Sequence, residues 1–205
     1  MDIFELYKFL KKKYSPLHDQ WKLWCKRPKS MKDREEVIIG AILTQNTNWR
    51  NVERAVENLK RSGACSIEGI HGMPLRTLER LVRPSGVYHA KARYLKSLAN
   101  FVLARGLKKL MESDTNKLRR DLLELPGVGK ETADSILLYA LDKPIFVIDN
   151  YTRRFVKKYR LSDEKSYDKL QAFFEGALRK NFKTFQDFHA LIVIDGKTER
   201  SSKLS

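Results

Sequence analysis

The sequence predicts an all-α protein, and three observations lead to this prediction. Apolar residues recur at helical spacing along almost the whole chain of 205 residues. A composition of 42% hydrophobic and 32% charged residues is typical of a folded globular protein. A single run, Pro144–Ile148, has the character of a strand, and it is short and stands alone. We therefore expect about ten helices joined by short turns.

The apolar stripes place the helices in order along the chain. The first stripe runs from Ile3 to Leu10, and the second covers Val37–Ile42. We expect Asp33 to be the N-cap of this second helix, because acidic residues follow it in the first turn. The third stripe is Val52–Leu59. The remaining helices are predicted at Leu75–Leu81, Ala90–Leu103, Asn116–Leu123, Glu131–Leu141, Asn150–Tyr159, Tyr167–Leu178 and Phe182–Ile194.

The charge balance indicates an anionic partner. Lys and Arg together number 41 against 25 acidic residues, which gives a net charge of +16. Such an excess favours binding to nucleic acid or to an acidic membrane face. The basic residues are spread along the chain, so the folded surface itself is expected to be basic.

Two further features limit the class of protein. Cys25 and Cys65 are the only cysteines and form no Cys-x-x-Cys pair, which excludes a four-cysteine iron–sulfur cluster or zinc site built from this chain alone. The sequence contains no apolar run long enough to span a bilayer, and its charged start is unlike a signal peptide. We therefore expect a cytoplasmic protein with no membrane partner, and we also expect it to be a monomer.

A glycine-rich turn, LPGVGK, joins two of the predicted helices. Gly127 and Gly129 permit backbone angles that other residues avoid, and Pro126 fixes the entry to the turn. Backbone N–H groups at such a turn and at the following helix start can bind a phosphate, and Lys130 adds a positive charge there. The spacing and the Lys-Ser/Thr pair of a P-loop are absent, so that site is excluded.

The longer string LPGVGKETAD, Leu125–Asp134, resembles the helix-hairpin-helix motif of the DNA glycosylase superfamily that includes endonuclease III. The broader resemblance runs from about Met31 to Lys197. It implies a nucleoid-associated protein whose motif binds the backbone of double-stranded DNA without reading its sequence. The implied DNA-binding residues of the motif are Gly127, Val128, Gly129, Lys130 and Thr132.

The resemblance also implies a cofactor and a domain arrangement. Backbone carbonyls of Leu123, Leu125 and Val128 are expected to hold a monovalent cation, K⁺ or Na⁺, and no other cofactor is required. We expect two helical lobes with a DNA-binding cleft between them. Residues 30–140 would form a helical barrel that ends in the hairpin, and residues 1–29 with 141–205 would form the second lobe.

Asp149 is the predicted catalytic residue. It follows the apolar run Phe146–Ile148 and precedes a basic helix, so by itself it reads as an N-cap. In the resembling family, an aspartate at this distance after the hairpin faces the cleft. Cleavage of an N-glycosidic bond places positive charge on the sugar, which an ionised carboxylate stabilises while it orients or deprotonates water. A helix N-terminus favours that ionised form, so the capping and catalytic roles are compatible.

Glu131 indicates how the bond is broken. Glycosylases that also cut the strand use an amine that forms a Schiff base with the sugar. In the resembling enzymes this lysine stands two residues after the second hairpin glycine, where this chain has Glu131. A carboxylate cannot form an imine, and Lys130 is one position away, about 100° around the helix. The sequence therefore predicts a monofunctional glycosylase, although Glu131 also suits the first turn of a helix.

Other site residues are implied by two further resemblances. The segment AILTQNTNWR resembles the family's insertion loop, with Gln45 filling the gap left by an extruded nucleotide. The segment RPSGVYHAKA resembles the second intercalating loop, with Val87 and Tyr88 as the wedge. LTQNT followed by an aromatic residue is most similar to the 3-methyladenine DNA glycosylase III type, which lacks an iron–sulfur cluster.

This narrower resemblance implies alkylated purines as substrates. Such bases carry a positive charge and leave easily, so their pocket gains from aromatic faces. Each tryptophan is also compatible with a role in the core, and Lys197 with the surface. The candidate base-pocket residues are Trp49, Trp21, Trp24, Glu131 and Lys197.

Three functions remain open from the sequence. The first is a monofunctional glycosylase of base excision repair that uses Asp149 on an alkylated, 3-methyladenine-type purine. The second is a non-catalytic helix-hairpin-helix module that binds DNA by charge. The third is a bifunctional glycosylase and lyase for oxidised bases that uses Lys130 or Lys197.

Overall fold

The computed structural model describes residues 2–202, and within this range it contains helices and no β-strand. The prediction of an all-α fold is thereby confirmed. Residues 2–202 include thirteen α-helices: α1 (Ile3–Tyr14), α2 (Trp21–Trp24), α3 (Met31–Leu43), α4 (Trp49–Arg61), α5 (Ile67–Gly72), α6 (Leu75–Val82), α7 (Tyr88–Arg105), α8 (Leu107–Glu112), α9 (Thr115–Leu123), α10 (Lys130–Ser135), α11 (Asn150–Lys158), α12 (Tyr167–Ala177) and α13 (Phe182–Ser202).

The chain divides into two compact units. The central unit is Arg27–Leu141, and the terminal unit combines the chain up to Lys26 with the chain from Asp142 onwards. In the terminal unit, α13 packs against α1 and α11. Its core is rich in aromatic rings, and Phe146 stacks on Phe174 with ring centroids 4.5 Å apart. Burial of these large side chains stabilises a unit whose segments come from both ends of the chain.

The central unit is arranged around α3 and α7. Helix α3 packs against α4, α7 and a π-helical turn, Ile136–Ala140, that follows α10. Helix α7 packs against α5, α6 and α8, and α10 packs against α9. The buried face of α7 repeats at helical spacing through Leu95, Leu98 and Val102. These contacts set the positions of the loops that precede α4, α7 and α10.

The strand prediction for Pro144–Ile148 is wrong. The segment does not form a β-strand, and side chains of α12 hydrogen-bond its backbone in place of a partner strand. The Phe146 N–H donates to Glu175 Oε1 at 2.8 Å, and Gln171 Nε2 donates to the Phe146 carbonyl at 2.6 Å. An isolated run of β-branched and aromatic residues can thus be buried without a sheet when side chains satisfy its backbone.

The start of α3 also differs from the prediction. Its N-cap is Ser30 rather than Asp33, and Asp33 lies at the third helical position. The Ser30 N–H donates to Asp33 Oδ2 at 2.7 Å, and the Asp33 N–H donates to Ser30 Oγ at 3.2 Å. The two residues form a capping box, in which Ser30 is the N-cap and Asp33 is the acidic residue of the first turn.

Three helices escaped prediction because they are short. Helices α2, α5 and α8 have four, six and six residues. A helix of two turns or fewer contains too few repeats of the apolar pattern to be recognised by its periodicity. The predicted helix Glu131–Leu141 is instead α10 followed by the π-helical turn Ile136–Ala140.

Candidate DNA-binding and catalytic sites

The hairpin between α9 and α10 is a tight turn with an open helix start. Gly127 has φ +75°, which only glycine adopts without strain. The Val128 N–H donates to the Leu125 carbonyl at 3.1 Å, and the Val128 side chain is buried. Gly129 is the N-cap of α10, and within the described residues no side chain caps this helix. Because the N-cap is a glycine, it supplies no side-chain cap, and the positive end of the α10 dipole lies at the turn, as suits a phosphate-binding site.

Two side chains of the central unit contact the hairpin, one from α7 and one from the loop between α3 and α4. A Cβ atom added at Gly127 would lie 2.2 Å from the ring of Tyr94, so the ring packs directly against the turn. Gln45 Nε2 donates to the Gly127 carbonyl at 2.8 Å and to Thr132 Oγ1 at 3.0 Å. Gln45, predicted to fill the gap in the DNA, is thus hydrogen-bonded to the hairpin in this structure. It must give up both bonds to enter a duplex.

The carbonyls expected to hold a cation suit that role chemically. Leu123 ends α9, so its carbonyl lies at the negative end of that helix. The Leu125 carbonyl accepts one N–H, and a carbonyl oxygen has a second lone pair. Backbone oxygens of Leu123, Leu125 and Val128 are hard donors of the kind that K⁺ and Na⁺ prefer. The donor set fits the predicted cation, whose presence stays a prediction.

The second predicted insertion segment precedes α7. Val87 has φ +44°, a left-handed conformation that is costly for a β-branched residue. Its side chain is 71% exposed. Tyr88 is half-buried and its ring lies 4.2 Å from that of His89. Strain and exposure at the same apolar residue point to a functional position, and they favour Val87 over Tyr88 as the wedge.

A cavity of about 390 Å³ lies in the central unit beside these elements. It brings together residues that the sequence analysis assigned separately to the insertion loops and to the hairpin. Glu131 is exposed at its edge, in the first turn of α10. The cavity is lined by Gln45, Asn46, Val87, Ala90, Lys91, Tyr94, Gly127, Gly129, Glu131 and Thr132.

Asp149 lies in the terminal unit and is the N-cap of α11, as its sequence position predicted. Its Oδ1 accepts the Thr152 N–H at 2.7 Å and the Thr152 hydroxyl at 3.0 Å. Its Oδ2 lies 3.5 Å from His189 Nε2, and the carboxylate is 14% exposed. Burial alone would raise the pKa of Asp149, but His189 and the bonds from Thr152 outweigh it and hold the pKa below its ordinary value. The carboxylate is therefore ionised at neutral pH.

Aromatic rings surround His189, the histidine that contacts Asp149. The His189 ring meets Trp21 edge to face at 6.1 Å and Phe146 at 6.2 Å. Trp21 also contacts Trp24 edge to face at 6.0 Å, and both tryptophans are buried. The structure therefore places two of the predicted pocket residues in the same cluster as the histidine that contacts Asp149.

The other predicted pocket residues are found elsewhere. Trp49 is half-buried at the start of α4 in the central unit, after its N-cap Asn48. Lys197 is exposed on α13 in the terminal unit. Lys130, which was predicted to bind DNA rather than to line the pocket, is exposed at the first position of α10.

Sequence reasoning missed three residues at these sites. His189 is a polar residue inside an apolar stretch of α13, and Lys91 occupies a buried position on α7 where the helical stripe calls for an apolar side chain. A polar residue on an apolar stripe was the available signal in both cases. Tyr94 gave no such signal, because an aromatic residue at helical spacing is ordinary core composition.

The described residues were also considered as possible metal ligands and membrane spans. No three or more His, Cys, Asp and Glu side chains come together there as a group that could hold a metal ion. Among the described helices, none combines the length and apolar character needed to cross a membrane.

Comparison with known proteins identifies relatives along most of the chain. The sequence profile of the HhH-GPD superfamily of base excision DNA repair proteins matches residues 39–180. A protein of Methanocaldococcus jannaschii, provisionally named as a DNA repair glycosylase, is 42% identical over 196 residues, which are 93% of this chain and 85% of the relative. An endonuclease III of Sulfolobus acidocaldarius is 28% identical over 169 residues, which are 81% of this chain and 74% of that protein.

Solved structures of DNA glycosylases also resemble this chain. The H. pylori 3-methyladenine DNA glycosylase (MagIII), bound to 1,N6-ethenoadenine, superposes with a TM-score of 0.81 and 30% identity, covering 97% of this chain and 99% of that chain. A trapped endonuclease III–DNA covalent intermediate superposes with a TM-score of 0.73, covering 96% of this chain and 85% of that chain. The second pair is 18% identical, so it shows a shared fold only.

The chain belongs to the HhH-GPD superfamily of base excision DNA repair proteins. Both predicted resemblances, to endonuclease III-like proteins and to the 3-methyladenine glycosylase type, are confirmed. At this level the protein is a DNA-binding DNA glycosylase of base excision repair. A non-catalytic binding module is the weaker interpretation, because the match extends beyond the hairpin through Asp149.

Proposed function

We propose that this protein is a monofunctional DNA glycosylase that hydrolyses the N-glycosidic bond of alkylated, 3-methyladenine-type purines in double-stranded DNA. The observation that carries the proposal is the state of Asp149, a carboxylate kept ionised by His189 and Thr152 at the start of α11. An ionised carboxylate of this kind is the group that base loss without an amine requires.

In the proposed reaction, Asp149 acts by charge. As the damaged base leaves, positive charge develops on the sugar, and the carboxylate stabilises it. The same group orients the attacking water and accepts its proton. Thr152 and His189 fix the carboxylate from two sides, so little reorganisation is needed during the reaction.

Glu131 supports hydrolysis by water rather than attack by an amine. It occupies the first turn of α10, at the position where the family resemblance implies a lysine in the strand-cutting enzymes. A carboxylate there cannot form a Schiff base. The neighbouring Lys130 begins the helix one position earlier, so it projects from a different side.

The substrate class rests on similarity and on charge. The H. pylori relative that binds 1,N6-ethenoadenine is 30% identical to this chain over nearly the whole length of both. Alkylated purines such as 3-methyladenine are cationic, and Trp21, Trp24 and Trp49 provide aromatic side chains of the type that stabilises such a base. We infer that the specificity pocket uses some of these rings.

We assign phosphate binding and insertion into the base stack to the central unit. N–H groups of Gly129, Lys130 and their neighbours would bind the phosphates, with the carbonyls of Leu123, Leu125 and Val128 holding a monovalent cation that stiffens the turn. Val87 would enter the base stack, and Gln45 would fill the gap left by the extruded nucleotide.

The test is release of free base from defined substrates. Duplex DNA with one 1,N6-ethenoadenine, methylated DNA that contains 3-methyladenine, and duplexes with oxidised bases are incubated with the protein, and freed bases are measured by chromatography. We expect release of alkylated purines at least about tenfold faster than release of oxidised bases. Faster release of oxidised bases would contradict the proposed substrate, and the Asp149→Asn protein controls for contaminating activity.

A further inference from the structure

Lys91 is a buried lysine on the first turn of α7. Its side chain is 2% exposed, and Nζ donates to two backbone carbonyls. One is that of Leu43, the last residue of α3, at 2.8 Å. The other is that of Ser85, in the short 3₁₀ turn Arg83–Ser85, at 2.6 Å. A single ammonium group thus joins two segments that are separated by more than forty residues of sequence.

The two carbonyls occupy equivalent places in the two predicted insertion segments. Gln45 follows Leu43 by two residues, and Val87 follows Ser85 by two residues. The cavity that lies beside these segments is lined by Gln45, Val87 and Lys91 together. The bonds from Lys91 therefore fix the backbone immediately upstream of both side chains that are proposed to enter the DNA.

Apolar packing alone does not explain a lysine at this position. Its neighbours on the buried face of α7 are apolar, namely Leu95, Leu98 and Val102. Burial lowers the pKa of Lys91 to about 8, which shows that its environment disfavours the charge. The favourable field at the C-terminus of α3 offsets part of this cost. An apolar residue would continue the stripe but would leave the Leu43 and Ser85 carbonyls without this donor, so what the lysine adds is the link between the two segments.

We propose that Lys91 is a positioning residue that holds the Gln45 segment and the Val87 segment at the separation needed to extrude a nucleotide. This inference rests on the proposed function, because it assumes that both segments act on a duplex. In this role Lys91 acts through the backbone of the two segments and not through a contact with the DNA or the reacting atoms. Its effect is to keep the wedge and the gap-filling residue in register, so that both enter the same step of the base stack.

Helix α7 supplies a matched control in Lys96. Lys96 Nζ donates to the His71 carbonyl at 2.6 Å and to the Met73 carbonyl, at the end of α5. Burial lowers the pKa of Lys96 as well. Lys96 thus makes the same type of contact on the same helix, but neither of its acceptors precedes an insertion segment.

The experiment compares Lys91→Met, Lys91→Arg and Lys96→Met with the wild type in the full chain. Nucleotide extrusion is followed by the fluorescence of 2-aminopurine placed next to an ethenoadenine in a paired duplex. Excision is measured under single-turnover conditions on that duplex and on the same strand without its complement. The single strand needs no extrusion from a base pair, so the ratio of the two rates isolates that step.

We expect Lys91→Met to lower the paired-to-single-strand ratio of excision rates, and the amplitude of extrusion, by about tenfold or more. Lys91→Arg should recover part of the loss, because a guanidinium can still donate to both carbonyls. Lys96→Met should leave the ratio within about twofold of wild type, even where it lowers thermal stability. The thermal unfolding curve of each variant shows which losses are structural.

Two results would overturn the inference. One is an equal loss of paired and single-strand excision in Lys91→Met, which would indicate general destabilisation. The other is the same lowered ratio in Lys96→Met. A wild type that neither extrudes nor excises would instead overturn the proposed function, so the two failures are distinguishable.

Discussion

The region around Asp149 and the hairpin around Gly127 perform their proposed tasks by different physical means. Asp149 is 14% exposed and takes its properties from the side chains of His189 and Thr152. The hairpin presents exposed backbone, and its shape depends on the packing of Tyr94 and Gln45. The catalytic region should therefore be sensitive to small changes of charge. The hairpin should be sensitive to added atoms and tolerant of changes in charge.

The largest expected effect is loss of catalysis in Asp149→Asn. The amide keeps the shape of the cap and an oxygen for the Thr152 N–H but removes the negative charge. We expect single-turnover base release to fall by roughly 10²–10⁴-fold. Affinity for undamaged duplex should be unchanged or slightly higher, because a negative charge is removed. Near-normal release of base by this variant would exclude Asp149 as the catalytic carboxylate.

The second effect concerns the hairpin. Gly127→Ala adds a Cβ 2.2 Å from the Tyr94 ring at a residue with φ +75°. We expect a loss of about 2–4 kcal/mol in the free energy of unfolding, measured by denaturant titration, together with weaker DNA binding.

A double-mutant cycle and a matched glycine sharpen this prediction. In a Tyr94→Leu background, Gly127→Ala should cost less, because only the backbone strain remains. At Gly129 an added Cβ meets nothing within 4 Å, so Gly129→Ala should cost only the difference between a glycine and an alanine N-cap, about 1 kcal/mol or less. Equal destabilisation by the two alanine substitutions would show that the contact with Tyr94 does not shape the turn.

A third, smaller effect is a change in pH dependence in His189→Phe. His189 contributes to holding the pKa of Asp149 down, whereas burial raises it. Without His189 the pKa should rise, so the acid limb of kcat/KM should move to higher pH. We expect the wild type to keep its rate down to about pH 5 and the variant to lose rate there while staying close to wild type at about pH 8. His189→Gln, which keeps an amide donor, should fall between them, and superimposable profiles would contradict the role of His189.

The smallest effect is expected at Glu131. Its exposed carboxylate lies in the first turn of α10, where it complements the helix dipole. Glu131→Gln should change the rate of base release by less than about threefold, because the interaction of this carboxylate with the helix dipole contributes at most about 1 kcal/mol. A loss as large as that of Asp149→Asn would assign the catalytic charge to the central unit instead.

The sequence predicted features that depend on neighbouring residues. The turn at Gly127, the cap at Asp149 and most helices follow from local rules of backbone geometry and hydrogen bonding. The start of α3 was misplaced by three residues, because Ser30 and Asp33 share one capping box. Such errors are small since both candidates lie in the same turn.

Features that depend on distant contacts could not be predicted in this way. His189 is forty residues from Asp149 in sequence, and Lys91 is 48 residues from Leu43. Each is recognisable only as a polar residue on an apolar stripe, and the pattern does not name its partner. Phe146 is likewise buried in a segment without regular secondary structure, and side chains of α12 hydrogen-bond its backbone. The sequence pattern of the segment does not predict these partners.

The most direct test of water-driven base removal is a gel assay on duplex DNA that carries one 1,N6-ethenoadenine. The wild-type reaction is analysed with and without hot alkali and in the presence of borohydride, with a bifunctional endonuclease III on an oxidised base as the trapping control. We predict strand cleavage only after alkali and no trapped protein–DNA adduct, because Asp149 assists water and Glu131 cannot form an imine. Cleavage without alkali together with a trapped adduct would contradict this account and show that a lysine attacks the sugar.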